Sequence, residues 1–186
     1  PVIGVNGKVP ETLDLPASKG LIPGIVNNDE FTRKKGEPAL PLVWQWNHNP
    51  DNSLWSVTER KGFLRLKTAR IDSLFLKSRN TLTFGPVCSG ITMLDASGMK
   101  DGDFAGLTAF QRKFGQVGVK IVNGQKQVFM VSNKTDKPTE LQSIPLSQNK
   151  VYLKIDCDFR DKIDVAKFYY SLDGKTWSVI GGELKM

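Results

Sequence analysis

The chain has one histidine, two cysteines and no apolar run approaching the roughly twenty residues that cross a membrane as a helix. Each shortage removes a class of function. A single histidine, His48, cannot assemble a multi-ligand catalytic zinc site, and no G-x-S-x-G elbow supplies a nucleophile for it to activate. Cys88 and Cys157 make no disulfide framework, and neither lies in a C-x-x-C. They could pair in an oxidising compartment, but Cys157 sits at an inward position of an alternating strand and reads as a small core residue. The net charge of +7 is carried by scattered cations, whose densest runs are Arg33-Lys34-Lys35 and Arg60-Lys61. Without a clustered basic face no nucleic-acid partner is expected, and no membrane partner either.

A convincing helical stripe is also lacking. Seventeen Gly and ten Pro punctuate the chain, and the apolar period is two. Residues 151–159 are apolar at every odd position and mostly charged at the even ones, so one face is buried and the other wet, as in an antiparallel sheet. Val117, Val119 and Ile121 repeat the pattern, as do Val128 with Met130, Leu64 with Leu66, and the series Ala166, Phe168, Tyr170, Leu172. Turn residues separate these runs: Ser97-Gly98, Asp101-Gly102-Asp103, Asn123-Gly124, and Asp173-Gly174, which reads as a tight hairpin return. The expectation is an all-β, two-sheet antiparallel sandwich with little or no helix, over residues 27–186.

Residues 1–26 are broken by Gly and Pro and read as a leader or linker, with one short strand at residues 2–5. The opening Pro1-Val2-Ile3-Gly4-Val5 is neither a signal peptide nor a translation start, so the chain reads as excised from something longer.

Chemistry-bearing residues concentrate in residues 42–60, LVWQWNHNPDNSLWSVTER, which hold three of the four Trp and the only His. Trp44 and Trp46, two apart on an extended segment, point to one face. With Asn47, His48, Asn49, Asp51 and Trp55 they suit sugar binding, in which flat aromatic faces stack on pyranose rings and amides and carboxylates bond the hydroxyls. The competing reading makes the Trp rings core and the Asn-Pro-Asp-Asn run a loop held by side-chain-to-backbone bonds. Oxygen ligands around Asn28, Asp29 and Glu30 form a candidate calcium site, and no other cofactor is required. Paired acid/base work needs two convergent carboxylates, yet Asp95, Asp101, Asp103, Asp156, Asp158, Asp161 and Asp164 all fall at strand ends or on wet faces. No catalytic residue is assigned.

The run Trp44-Gln45-Trp46-Asn47-His48-Asn49-Pro50-Asp51, followed by Trp55 to Arg60 and Gly62 to Thr68, closely resembles the C-terminal β-sandwich of glycoside hydrolase family 43 enzymes. Arg79 to Thr83, Met99 to Asp103, Ala109-Phe110-Gln111 and Phe168 to Ser171 agree in order, so the resemblance covers residues 27–186. It implies a concanavalin A-like jelly roll of a β-xylosidase or α-arabinofuranosidase type, with residues 1–5 similar to the closing strand of that family's catalytic propeller. The family's catalytic Asp and Glu lie in the propeller, so no position here inherits them. In the family a further segment with an aromatic and a closing strand follows the Asp-Gly hairpin; nothing matches it after Met186, so the sandwich is expected to lack its last strand.

By this resemblance the chain is a non-catalytic accessory domain that packs on the propeller and shapes the substrate entrance of an enzyme acting on plant cell-wall polysaccharide. A secreted or periplasmic location is expected from that role. The alternative is an autonomous carbohydrate-binding module using Trp44, Trp46 or Trp55, and a third reading, a catalytic sandwich, would need two carboxylates on one concave face.

Overall fold

In a computed structural model the described residues are 28–41, 43–46, 49–68, 79–80, 85–111, 113–133 and 137–186. The leader and its strand at residues 2–5 lie outside them. In chain order the strands are β1 (Gln45–Trp46), β2 (Trp55–Ser56), β3 (Arg65–Leu66), β4 (Arg79–Asn80), β5 (Val87–Asp95), β6 (Phe104–Phe110), β7 (Phe114–Val122), β8 (Gln125–Asn133), β9 (Thr139–Pro145), β10 (Lys150–Asp158), β11 (Val165–Ser171), β12 (Ser178–Val179) and β13 (Leu184–Lys185). Among the described residues helix is limited to two single 3-10 turns, Asn52–Leu54 and Arg160–Lys162.

The chain divides into two compact units, Pro1–Thr81 and Leu82–Met186. The first contains two short antiparallel ladders, β1 with β4 and β2 with β3. The second is the sandwich. One sheet runs β12-β11-β10-β5, with β13 also alongside β11, and the other runs β6-β7-β8-β9. Every pairing is antiparallel.

The period of two explains which sides meet. Val151, Leu153, Ile155 and Cys157 of β10 and Ala166 and Phe168 of β11 face Val117, Val119, Val128 and Met130 of the other sheet in one core cluster. Leu153, Val117, Val119 and Val151 are completely buried, and full burial of such a side chain contributes about 1.5–3 kcal/mol. The C-terminal residues close part of the same core: Leu184 of β13 is fully buried and pairs with Ala166.

The Asn123-Gly124 connection is the two-residue hairpin that its sequence demands, with φ of 51° and 74°. Both central residues are left-handed, which matches the twist of the flanking strands and favours Asn-Gly. The Asp173-Gly174 return is longer than a tight hairpin. It spans residues 172–177, with Asp173 Oδ1 accepting from the amides of Lys175 (2.8 Å) and Thr176 (2.7 Å).

Three alternations end differently from their pattern. Leu172 is exposed because β11 stops at Ser171, whose hydroxyl accepts the Gly174 amide and turns the chain out of the sheet. Leu66 is 60% exposed, since β3 pairs over only two residues with β2 and both its residues face outward. Phe129 is buried although it faces away from Val128 and Met130; the Lys120 ammonium stands 5.9 Å from its ring centroid.

Candidate functional site

In the first unit the aromatic segment is organised by Asp29. Its Oδ1 accepts from Arg33 Nη1 (2.8 Å) and the Phe31 amide (2.8 Å), and its Oδ2 from Arg33 Nη2 (2.6 Å) and Trp44 Nε1 (2.8 Å). Arg33 Nε donates onward to the Ala39 carbonyl at 2.8 Å, so the guanidinium ties three segments together. Burial works to raise the Asp29 carboxyl, but Arg33, the Phe31 amide and the Trp44 indole together hold it below its ordinary value.

Trp44 is thereby fixed and lies 5.9 Å from the Phe31 ring, tilted by 31°. Trp46 packs 5.4 Å from Trp55 at 49°, and Trp55 donates its indole N–H to Asn52 Oδ1 at 3.0 Å. Trp44, Trp46 and Trp55 are each half-buried, while Gln45 and Asn49 are exposed. Asp51 caps the 3-10 turn, its Oδ1 accepting from the Ser53 amide (3.1 Å) and hydroxyl (2.7 Å). Asn47 and His48 lie outside the described residues.

Asp29 is held in an ion pair with Arg33. Both carboxylate oxygens accept two N–H groups each. Asn28 and Glu30 are exposed beside it. Among the described residues no group of three or more His, Cys, Asp or Glu stands ready to hold a metal.

The carboxylates of the second unit work in turns and ladders. Asp95 accepts the Ser97 amide, Asp101 the Gly124 amide and Asp103 the Lys100 amide. Asp158 is held down to about 2, first by the Arg160 guanidinium and then by the Arg160 amide. Asp156 accepts from Ser89 Oγ (2.7 Å) and pairs with Lys154 (2.9 Å). A carboxyl as acidic as Asp158 carries no proton near neutral pH and so cannot act as a general acid there.

Two features of this unit had no counterpart in the sequence reading. The first is a row across the outer face of the five-stranded sheet, in which Ile91 opposes Lys154, Lys154 opposes Tyr169, and Tyr169 opposes Val179. Ile91 and Val179 are 60% and 63% exposed, and Lys154 stands 4.2 Å from the Tyr169 ring and 5.2 Å from that of Trp177. The signal was Tyr and Val at positions where an alternating strand places charge. The second is an open cavity of about 390 Å³ at one end of the same sheet, lined by Cys88 and Cys157 together with Val87, Asp156, Asp158 and Lys167.

A family described as the β-xylosidase C-terminal concanavalin A-like domain matches residues 28–186. The β-xylosidase of Formosa agariphila is 27% identical over 97% of this chain, which corresponds to 34% of that protein. A solved bifunctional GH43-CE chain of Bacteroides eggerthii is 57% identical, with a TM-score of 0.87, over 98% of this chain and 24% of its own. A family 43 glycoside hydrolase engineered to display both endo-xylanase and exo-arabinofuranosidase activity is 28% identical, with a TM-score of 0.78, over 92% of this chain and 36% of its own. The chain thus spans about a third of the length of the curated relatives it matches.

Proposed function

This chain belongs to the β-xylosidase C-terminal concanavalin A-like domain family, and from that membership we propose that it packs on a catalytic propeller and shapes the entrance through which xylan- or arabinoxylan-type chains reach it. The observation that carries this reading is the span of the match: the chain is the accessory C-terminal portion of family 43 enzymes and corresponds to about a third of their length. The β-xylosidase name of one relative and the xylanase and arabinofuranosidase activities of another indicate the substrate class. We assign no bond cleavage to residues of this chain. Work on plant cell-wall polysaccharide puts the parent protein outside the cytoplasm, secreted or periplasmic. The purified chain is expected to leave aryl xylosides and aryl arabinosides intact while the full-length enzyme cleaves at least one of them. Turnover by the isolated chain would overturn the assignment.

The outer face of the five-stranded sheet is the surface we assign to that docking, because it presents Ile91, Val179 and Tyr169 in one row around a single cation. Ile91→Glu combined with Val179→Glu is expected to change the stability of the chain alone by within about 0.5 kcal/mol per site, since both side chains are exposed. In the full-length enzyme the same pair is expected to separate the melting of the two parts and to lower kcat/KM on xylo-oligosaccharides severalfold. An unchanged single transition with unchanged kcat/KM would place the contact elsewhere.

A further inference from the structure

Cys88 of β5 and Cys157 of β10 are directly opposed in the antiparallel ladder. Opposed residues hold their Cα atoms about 4.5–5.5 Å apart, inside the window of about 4.4–6.8 Å that a disulfide accepts. They also share a sheet face, here the core face: Cys157 is 6% exposed and the partly buried Cys88 packs against the same cluster. Both are free thiols. A second, independent observation is access. Cys88 is only partly buried, so a small reagent reaches the pair from its side.

We propose that Cys88 and Cys157 form a redox pair that closes into a cross-strand disulfide by exchange with a small-molecule disulfide of the glutathione class. In the first step the Cys88 thiolate attacks one sulfur of R–S–S–R, a Cys88–S–S–R bond forms, and RS⁻ leaves and takes up a proton. In the second the Cys157 thiol gives up its proton, its sulfur attacks Cys88 Sγ, and the second RS⁻ leaves. Two protein thiols are oxidised by two electrons and one small disulfide is reduced to two thiols. Cys88 is the first nucleophile because it is the more exposed of the two, whereas burial, with Cys88 beside it, pushes the Cys157 thiol up to about 12. The bridge would close a loop of about 70 residues and pin β5, the end strand of its sheet path, to β10.

The test treats the protein with oxidised glutathione and reads intact mass, thiol content under denaturing conditions and a non-reduced peptide map. Expected are a loss of about 2 Da, loss of both thiols, and a linked peptide pair holding Cys88 and Cys157. The thermal midpoint is expected to rise by roughly 10 °C and to return on treatment with dithiothreitol. Cys88→Ser and Cys157→Ser should each leave a thiol that ends at most as a mixed disulfide. Wild-type protein that keeps both thiols, or that carries only glutathione adducts without the internal link, would overturn the proposal, and this readout depends on neither variant folding.

Discussion

Replacing Phe168 by Ala is expected to cost the second unit about 3–5 kcal/mol, lowering its thermal midpoint by on the order of 15 °C in a circular dichroism melt. The ring is 1% exposed and is among the largest completely buried side chains of the sandwich. It projects from β11 to the opposite sheet and comes to rest on Gly115 of β7, where an added Cβ would stand only 2.4 Å from the ring's Cζ. That contact makes the two positions interdependent. Gly115→Ala alone is expected to cost about 1–3 kcal/mol, because the ring it would displace is locked in a packed core. In a Phe168→Leu background the same alanine should cost markedly less, since the smaller side chain vacates the space. Additive costs in the double variant would show that the two sites do not share one packing contact.

Asp29→Ala is expected to destabilise the first unit by about 2–3 kcal/mol, because it removes a bidentate partner from Arg33 and an acceptor from both Trp44 and the Phe31 amide. Trp fluorescence is the natural probe, as Trp44, Trp46 and Trp55 all belong to this unit. The folded-state carboxyl sits below its ordinary value, so its contribution is complete above the unfolded value of about 3.9 and disappears as pH falls through the lowered folded value. The gap between wild type and Asp29→Ala should therefore be constant from neutral pH to about 5 and shrink as pH falls below the unfolded value of about 3.9. Addition of millimolar calcium should leave the wild-type midpoint unchanged. A calcium-dependent rise that Asp29→Ala abolishes would instead make this carboxylate a ligand.

The strands that could be read from sequence are those whose two faces meet different surroundings. Residues 151–159 alternate because β10 lies between β11 and β5 with one face in the core, and the Asn123-Gly124 hairpin is fixed by backbone sterics alone. β9, reading TELQSIP, carries almost no such signal: nearly all its residues are exposed, and its position comes from its ladder with β8. Leu66 and Leu172 looked inward by period, but period cannot tell where pairing stops. At the aromatic segment the concentration of Trp and amides was visible, whereas the role of Asp29 was not. Its bond to Trp44 joins residues fifteen apart in sequence, and no local pattern encodes that. That Cys88 and Cys157 could pair was open from sequence, but their direct opposition depends on the register of β5 against β10.

The two sheets differ in how far apart in sequence their partners lie. β6, β7, β8 and β9 follow one another as a meander, so each pairing closes only a short loop. β5 instead pairs with β10, from which the whole meander separates it. Closing that long loop carries an entropic cost before any contact rewards it. Connectivity favours an order of assembly in which the meander forms early, β10 and β11 pair as a local hairpin, and β5 adds last. Until then β10 is open at its β5 edge, and in a chain emerging from synthesis β5 waits unpaired while the whole meander is made.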